Sequence, residues 1–389
     1  MELSKLRILE GAHGIWYSRN GRSVLAADVA DPLAPPAAVR QTIEEAGLFD
    51  ERSDLYGATV MLTTRCNLTC GYCFQNDLSA GSIISRIPRR ELTADLARGA
   101  QLFIQREMLR YGKTRLHLLL TGGEPLMNFP VCVELLRLMR PLGLQSAELF
   151  TNGVMFTLAN ARALVEAGLT HVQVSFDGAR DDHDRYRKSA VGAGSYQRIM
   201  DNLRSVAAAL PDLRLTARVN VTASNVSRLD ELIDALAAVA APGRISIRFG
   251  LIDDIGLDFA DAPQREPELA EALRVLAHRA IAQGLRVQPM AALGDCLYCG
   301  IVGGGSGCVI NADGALYSCW ESVGRQDLSV GDLTKGFLSG DELEERWVDC
   351  SYNVRNREEM IARTKAISDA VDVAVLDEQF ERLTASVRA

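Results

Sequence analysis

The sequence predicts an α/β fold: a partial (β/α)6 TIM-like barrel with a small N-terminal appendage and a cysteine-rich C-terminal domain. Strand-like runs alternate with amphipathic helices between residues 58 and 250, and polar or glycine-rich motifs follow four successive strand-like runs. Five of the nine cysteines fall near the C-terminus. Alternating strands and helices are typical of parallel sheets with right-handed crossovers. In barrels of this kind, functional residues lie at the carboxyl ends of the strands.

The composition is that of an ordinary globular protein. The 389 residues are 48% hydrophobic and 24% charged, and the formal net charge is -8. Arginines are dispersed along the helices, which argues against a nucleic-acid-binding face. No apolar run approaches the roughly 18 residues that span a bilayer, and the first residues lack the apolar core of a signal peptide. We therefore expect a soluble cytoplasmic protein that binds neither membrane nor nucleic acid.

Residues 1–54 predict a small hairpin-plus-helix module. Strand-like runs at Gly14–Ser18 and Ser23–Ala27 flank an Asn-Gly pair, the strongest short-range signal of a β-hairpin. A proline-rich link then leads to a helix over residues 37–46. In placement this module resembles leader-peptide recognition attachments, and a packing role is equally compatible with its length.

Residues 55–252 predict the barrel itself. Six strand-like runs are found at Ala58–Thr63, Arg115–Leu120, Ala147–Thr151, His171–Ser175, Leu213–Val221 and Arg244–Phe249. The helix-like stretches between them are Arg90–Tyr111, Pro130–Leu138, Leu158–Ala167, Ser195–Leu210 and Val226–Val239. Six strands are too few for a closed eight-stranded barrel and fit a partial one.

Three further segments follow the predicted barrel. Residues 253–289 predict a connecting acidic loop, a helix and a strand. Residues 290–355 contain most of the C-terminal cysteines, and residues 356–389 predict a charged helical tail. In a reducing compartment, clustered cysteines indicate metal ligands more often than disulfides.

Three cysteines follow the first predicted strand of the barrel. Cys66, Cys70 and Cys73 have the spacing C-x3-C-x2-C. Three thiolates on one loop can hold three irons of a cubane and leave the fourth iron without a protein ligand. A zinc site would normally need a fourth ligand close by, and no other Cys or His stands near. The triplet therefore predicts an iron–sulfur cluster with one open coordination position.

This spacing, with Tyr72 before the last cysteine, resembles that of the radical S-adenosylmethionine (SAM) superfamily. The resemblance implies a [4Fe–4S] cluster whose open iron binds SAM, and reductive cleavage of SAM to a 5′-deoxyadenosyl radical. The motif after the second strand, Gly122-Gly123-Glu124-Pro125, is similar to the GGEP motif of that family. There the glycines allow a close backbone approach, and Glu124 would accept a hydrogen bond from the SAM ammonium group.

The third and fourth strands are followed by residues that resemble further SAM contacts. Asn152 lies in a Thr-Asn-Gly turn, while Ser175, Asp177 and Arg187 fall in the stretch SFDGARDDHDRYR. The resemblance implies that these residues, together with Tyr72, hold the ribose or carboxylate of SAM.

The same stretch resembles the branch whose members carry a C-terminal auxiliary-cluster domain, called SPASM or, in a shorter form, twitch. Gly314 precedes Cys319 by five positions, as in the opening of the SPASM pattern. The resemblance implies one auxiliary [4Fe–4S] cluster, since a full SPASM domain has more cysteines after this point. Its four ligands come from five candidates, namely Cys296, Cys299, Cys308, Cys319 and Cys350. A structural zinc site built from four of them is the alternative.

Many enzymes of this branch modify ribosomally made peptides, and sulfatase maturases also belong to it. In the maturases an acidic residue directly follows the cysteine that corresponds to Cys319. Here Trp320 occupies that position and Glu321 comes next, which argues against sulfatase maturation and leaves Glu321 as a candidate base.

We therefore expect an enzyme that installs an intramolecular cross-link, a cyclophane or a thioether, in a precursor peptide. A flavodoxin or ferredoxin would be its reductant. The alternatives are a twitch-type dehydrogenase or epimerase acting on a small sugar or cyclitol, or a peptide epimerase. A non-enzymatic electron carrier would ligate all four irons, which the open triplet argues against.

Overall fold

The computed structural model describes residues 3–19, 22–49, 54–76, 87–253, 259–290, 296–349 and 357–388. At its centre lies a sheet whose parallel strands follow one another in chain order. These strands are β4 (Leu55–Met61), β5 (Arg115–Thr121), β6 (Leu144–Thr151), β7 (His171–Phe176), β8 (Arg214–Val221), β9 (Ile245–Leu251) and β10 (Arg286–Val287). The predicted α/β class with a parallel sheet is confirmed, and the first six of these strands match the six that were predicted.

Helices connect these strands. They are α2 (Ala94–Arg110), α3 (Phe129–Met139), α4 (Leu158–Ala167), α5 (Arg180–Tyr186), α6 (Tyr196–Ala209), α7 (Leu229–Ala237) and α8 (Pro267–Ala282). Threonine side chains begin two of them: Thr93 accepts a hydrogen bond from the Leu96 amide, and Thr157 from the Asn160 amide. Such N-caps satisfy amides that have no partner within the helix. The short helix α5 was not predicted separately.

Side chains alternate across each strand, and this alternation separates the core from the site. In β5, Leu116, Leu118 and Leu120 pack with the helices in one large buried cluster. The intervening residues, including His117 and Thr121, point to the opposite face. That second face carries the polar side chains described below.

The first 49 residues form a three-stranded antiparallel meander followed by a helix. The strands are β1 (Arg7–Gly11), β2 (Gly14–Arg19) and β3 (Arg22–Ala26), and the helix is α1 (Ala37–Glu45). The predicted hairpin corresponds to β2 and β3, whose Asn-Gly turn lies outside the described residues, and β1 adds a third strand. Tyr17 and Ile43 are fully buried in the small core between the sheet and α1.

Residues beyond 300 extend the central sheet. The strand β11 (Gly307–Ile310) pairs in parallel with β4, and β12 (Ala315–Tyr317), β13 (Gly331–Asp332) and β14 (Gly336–Phe337) continue in antiparallel order. The short helix α9 (Asp341–Arg346) follows. The cysteine-rich segment is thereby fixed to the edge of the strand that leads into the Cys66 loop.

The long C-terminal helix α10 (Arg357–Arg388) packs along α8 and against β1. Arg7 in β1 pairs with Asp369 and Asp372, and the Trp16 indole donates to Asp377 at 2.8 Å. The N-terminal meander is thus held by the tail of the chain. Among the described residues, no helix has the length and apolarity that a membrane crossing requires.

Candidate active site

The loop after β4 places three thiols around one cavity. Cys66, Cys70 and Cys73 line this cavity, whose volume is about 320 Å³. The Cys66 sulfur accepts hydrogen bonds from the Leu68 amide at 3.4 Å and from Asn152 Nδ2 at 3.7 Å. Hydrogen bonds to a sulfur favour its thiolate form. The loop therefore presents three thiols to one cavity, where a single bound group can contact all of them.

The Gly-Gly pair after β5 packs against the backbone that leads into this loop. The Gly123 amide donates to the Thr63 carbonyl, and the Glu124 amide donates to the Arg65 carbonyl, both at 2.8 Å. A Cβ atom at Gly122 would overlap the Thr63 carbonyl oxygen, and one at Gly123 would overlap that of Arg65. Both positions therefore require glycine, because any side chain would push the cysteine loop away.

Glu124 lies behind the cavity wall, where it is fully buried together with Pro125. Its carboxylate accepts hydrogen bonds from the Thr151 hydroxyl and the Asn152 amide, each at 2.8 Å, and from the Leu126 amide at 3.1 Å. Burial raises the pKa of Glu124 to about 7. In this arrangement Glu124 acts on the site through Asn152, whose backbone it fixes.

Asp177 is also buried behind the wall, and it orients three side chains at the cavity. It accepts hydrogen bonds from the Tyr72 hydroxyl at 2.5 Å, and from Arg187 Nε and Asn220 Nδ2 at 2.8 Å. Burial alone would raise the pKa of Asp177, but the charge of Arg187, the neighbouring His183 and the hydrogen bonds from Tyr72 and Arg187 together outweigh burial and lower that pKa. Asp177 is therefore ionised. It holds Arg187 in place and compensates the positive charge of the guanidinium.

The remaining predicted residues lie together at the cavity. Those that line it are Cys66, Cys70, Tyr72, Cys73, Gly122, Gly123, Asn152, Ser175, Arg187 and Glu321. They come from the ends of β4, β5, β6 and β7, from the C-terminal end of α5, and from the segment after β12. Convergence at the carboxyl ends of successive parallel strands is typical of enzyme sites in such folds.

Residues 60–236 match the profile of the radical SAM superfamily. This stretch is a radical SAM domain. The match begins within β4 and ends in α7, so it contains the three cysteines, the Gly-Gly pair and the Asp177 network. The resemblance predicted from the sequence is confirmed for this domain. The radical SAM superfamily is a superfamily of enzymes.

Curated relatives match about half of the chain. The PqqA peptide cyclase of Rhizobium meliloti (strain 1021) is 31% identical over 175 residues, which cover 44% of this chain and 41% of the relative. The GTP 3′,8-cyclase of Moorella thermoacetica is 33% identical over 198 residues, which cover 51% and 55%. The chain thus spans about half the length of the curated relatives it matches.

Solved structures share the fold at low sequence identity. Native anSMEcpe with bound AdoMet and Kp18Cys peptide matches 75% of this chain and 80% of its own, with a TM-score of 0.57 and 15% identity. Streptococcus suis SuiB bound to precursor peptide SuiA matches 87% and 74%, with a TM-score of 0.51 and 14% identity. The likeness therefore extends beyond the radical SAM domain into the flanking segments.

A radical SAM domain implies a [4Fe–4S] cluster and SAM, and the residues at the cavity fit both. Burial raises the pKa of Cys70 to about 12, and coordination to a metal removes this cost because a ligating thiol is deprotonated. Arg187, Asn152 and Ser175 supply donors and acceptors for a polar cofactor beside the thiols. In the described ranges, no three Cys, His, Asp or Glu side chains converge as a preformed metal site.

Sequence reasoning missed several cavity residues of the radical SAM domain. Gln173 and Arg218 line the cavity, two positions before Ser175 and Asn220 on β7 and β8. Residues two apart on a strand share a face. Both strands alternate polar and apolar residues, and this alternation is the signal that could have placed Gln173 on the same face as Ser175.

The segment after β12 closes one side of the cavity. Cys319 precedes a single helical turn, Trp320–Ser322. The Trp320 ring packs edge-on against Phe150 at 6.3 Å and against Tyr298 at 5.6 Å between ring centroids. Burial and the charge of Arg248 lower the pKa of Arg218, and the charge of Glu321, which lines the same cavity, opposes that lowering. The predicted candidate base therefore lines the same cavity as the three thiols.

The C-terminal cysteines lie in two different environments. Cys308 in β11 is fully buried within the core that the helices share. Its neighbour Val309 points to the other face, where it packs with Tyr298 and where Cys296 also lies. Cys308 and Cys296 are therefore on opposite faces of the sheet, which argues for a core role for Cys308. Cys299 and Cys319 are buried close to the strands, and Cys350 lies outside the described residues.

His183 in α5 has its tautomer fixed by its neighbours. The Asp177 amide donates to His183 Nδ1 at 3.4 Å, and Ser195 Oγ donates to the Arg187 carbonyl at 2.6 Å. His183 Nε2, at 2.9 Å from Ser195 Oγ, must therefore be the donor in that contact. Burial lowers the pKa of His183 to about 4, so the ring is neutral and supports the Asp177–Arg187 segment.

Acid should destabilise the folded state through His183. In the unfolded chain this imidazole has a pKa near 6.5, so the unfolded state binds more protons between pH 6.5 and pH 4. The stability that His183 contributes is present above pH 6.5 and is lost as the pH falls towards 4. Between pH 7.5 and 4.5 the free energy of unfolding of the metal-free wild type should fall by roughly 2.5 kcal/mol more than that of His183→Gln. Urea titrations at both pH values measure this difference, and equal pH dependence in the two proteins would refute it.

Proposed function

We propose that this protein is a radical SAM enzyme that modifies a ribosomally synthesised precursor peptide, forming an intramolecular cyclophane or thioether cross-link. One observation carries the proposal: a single cavity joins the three thiols of the radical SAM domain to Trp320 and Glu321 of the C-terminal segment. Relatives named PqqA peptide cyclase and the peptide-bound folds of anSMEcpe and SuiB support a peptide as substrate.

When bound, a [4Fe–4S] cluster with SAM supplies the radical that removes a hydrogen atom, and a second cluster on C-terminal cysteines supplies the acceptor for the next electron. Flavodoxin or ferredoxin is the proposed reductant. The protein itself supplies the binding groups. Arg187, held by Asp177, binds the SAM carboxylate, while Asn152 and Ser175 contact its polar groups. Burial of Arg187 and Asn152 keeps the orientation of these two side chains fixed.

The C-terminal segment completes the site for the substrate. Closing a ring by joining two positions of one peptide removes two hydrogens, one as an atom and one as a proton together with an electron. Glu321 is placed to accept that proton at its carboxylate. Trp320 and Phe150 form an apolar wall beside it, which excludes water from the reacting carbon.

Co-expression tests this function. The chain is produced with each small open reading frame encoded beside its gene, and the peptides are analysed by mass spectrometry. We expect one peptide to be lighter by two hydrogen atoms, with the mass loss confined to one internal fragment that resists sequencing by fragmentation. The same co-expression with Glu321→Gln should reduce the yield, while Glu344→Gln on the exposed face of α9 should not.

Two outcomes would contradict the cross-link. A peptide whose mass is unchanged in H2O, but which gains one deuterium when the reaction is run in D2O, would identify an epimerase. If no co-expressed peptide changes while SAM is still cleaved, a small-molecule substrate of the dehydrogenase or epimerase type becomes the better assignment.

A further inference from the structure

Arg218 is a charged residue on the barrel-facing side of β8. The proposed function assigns it no role in binding SAM. It lines the cavity together with Asn220 and Glu321. Its Nε donates to Asn220 Oδ1 at 3.2 Å, which leaves the terminal nitrogens of the guanidinium for other contacts. A guanidinium has five donors in a fork that matches a carboxylate.

The charge of Arg218 is poorly compensated. No ion pair within 4.0 Å joins it to a carboxylate in the described ranges. Its partner in the register of β8 and β9 is another arginine, Arg248, and the two like charges repel. Glu321 acts on Arg218 only through its longer-range charge, and Arg248 in turn acts on Glu148. Such a cation has a strong preference for an anionic ligand.

The site is shaped for the guanidinium. A Cβ atom at Gly250 in β9 would overlap the terminal nitrogen and central carbon of the Arg218 side chain. Gly250 has no left-handed backbone that would demand glycine, so the space beside it serves the guanidinium. Burial and the neighbouring Arg248 lower the pKa of Arg218 to about 10, which still leaves it protonated at neutral pH.

The position of Arg218 separates it from the SAM-binding groups. Asn220, two residues further along β8, bonds to Asp177 and lies 3.4 Å from the Tyr72 hydroxyl. Arg218 is therefore roughly 6.6 Å deeper in the barrel than these groups. Trp320 and Glu321 line the same cavity, and the charge of Glu321 acts on Arg218, which places Arg218 near the segment assigned above to the substrate.

We propose that Arg218 binds a carboxylate of the substrate, the side chain of an Asp or Glu or the C-terminus of the peptide, next to the position of hydrogen abstraction. This inference rests on the proposed function, because it names a chemical feature of the peptide that the cavity selects. Gly250 provides the space for the bidentate contact, and Arg248 adds positive potential behind it.

The test uses the anaerobically reconstituted holoenzyme and two small probes, N-acetylglutamate methylamide and N-acetylglutamine methylamide. Their dissociation constants are measured by ligand-observed NMR titration in wild type, Arg218→Gln and Arg218→Lys. We expect the glutamate probe to bind wild type at least ~10-fold tighter than the glutamine probe, because a charge-assisted hydrogen bond contributes about that difference in affinity. Arg218→Gln should abolish the preference and Arg218→Lys should retain part of it. Arg204→Gln on the exposed face of α6 is the matched control.

The affinity for SAM identifies which carboxylate is bound. We expect Arg218→Gln to bind SAM within about twofold of wild type, which also shows that the variant is folded. An acidic-probe preference that persists in Arg218→Gln would overturn the proposal. A fall of ~10-fold or more in SAM affinity with unchanged probe binding would overturn it too, because the carboxylate would then be that of SAM.

The binding test does not depend on turnover. If the preference disappears in Arg218→Gln but no co-expressed peptide is modified, the carboxylate site stands and the peptide function fails. If a peptide is modified equally well by wild type and Arg218→Gln, the peptide function stands and the carboxylate site fails.

Discussion

Replacing Cys66, Cys70 and Cys73 together by alanine should reduce 5′-deoxyadenosine formation from SAM to background, a loss of at least ~10³-fold. The three thiols line one cavity of the radical SAM domain, and in the proposed function the cluster that they would hold is the source of the radical. Chromatography of anaerobic, dithionite-reduced reactions measures the product. Cys132→Ala is the matched control, because that thiol is fully buried in α3 and is not among the residues that line the cavity. Substantial SAM cleavage by the triple variant would refute the assignment of these ligands.

The iron content of the same triple variant tests the second cluster. The proposed auxiliary cluster does not use the loop cysteines, so about four irons per chain should remain. Protein without iron, or with zinc in its place, would show that the C-terminal cysteines have a structural role and that the two-cluster mechanism is wrong.

Gly123→Ala should have the second large effect. Its Cβ would overlap the Arg65 carbonyl oxygen, and this backbone leads directly into Cys66. Relieving the overlap requires the cysteine loop to move, which should cost on the order of 3 kcal/mol in stability. A shift of about 1 Å in a catalytic site can reduce the rate ~10²-fold. Thermal unfolding and 5′-deoxyadenosine formation measure the two effects.

Gly99→Ala is the control for that substitution. Gly99 lies within α2, and the nearest atom to an added Cβ is Leu333 Cδ1 at 3.6 Å. Alanine has the higher helix propensity, so this variant should be as stable as wild type or about 1 kcal/mol more stable. Similar behaviour of Gly123→Ala and Gly99→Ala would contradict the role assigned to the Gly-Gly pair.

The barrel strands and helices could be predicted because each depends on a local pattern. Leu158–Ala167 has the same bounds in the sequence prediction and in α4, since Thr157 caps the start and Gly168 follows the end. The attachment of β11 to β4 could not be predicted, because it joins segments some 250 residues apart. Its four residues carry no periodicity long enough to distinguish an edge strand from a loop.

The site shows a similar division. The cysteine spacing and the motifs after successive strands predicted which residues would meet, and most of them line the cavity. Burial could not be predicted: Glu124 and Asp177 lie behind the wall and act by orienting Asn152 and Arg187. Arg218 was missed because an arginine at one polar position of an alternating strand belongs to no motif, and the pairing with Arg248 follows from the register of β8 and β9.

The central claim, that a radical formed beside Cys66, Cys70 and Cys73 removes hydrogen from a peptide, is tested most directly by isotope transfer. The peptide identified by co-expression is made with deuterated amino acids and incubated with the reduced enzyme and unlabelled SAM. Mass spectrometry of the released 5′-deoxyadenosine should show one added deuterium in proportion to the modified peptide. Modified peptide accompanied by 5′-deoxyadenosine without deuterium would contradict the claim.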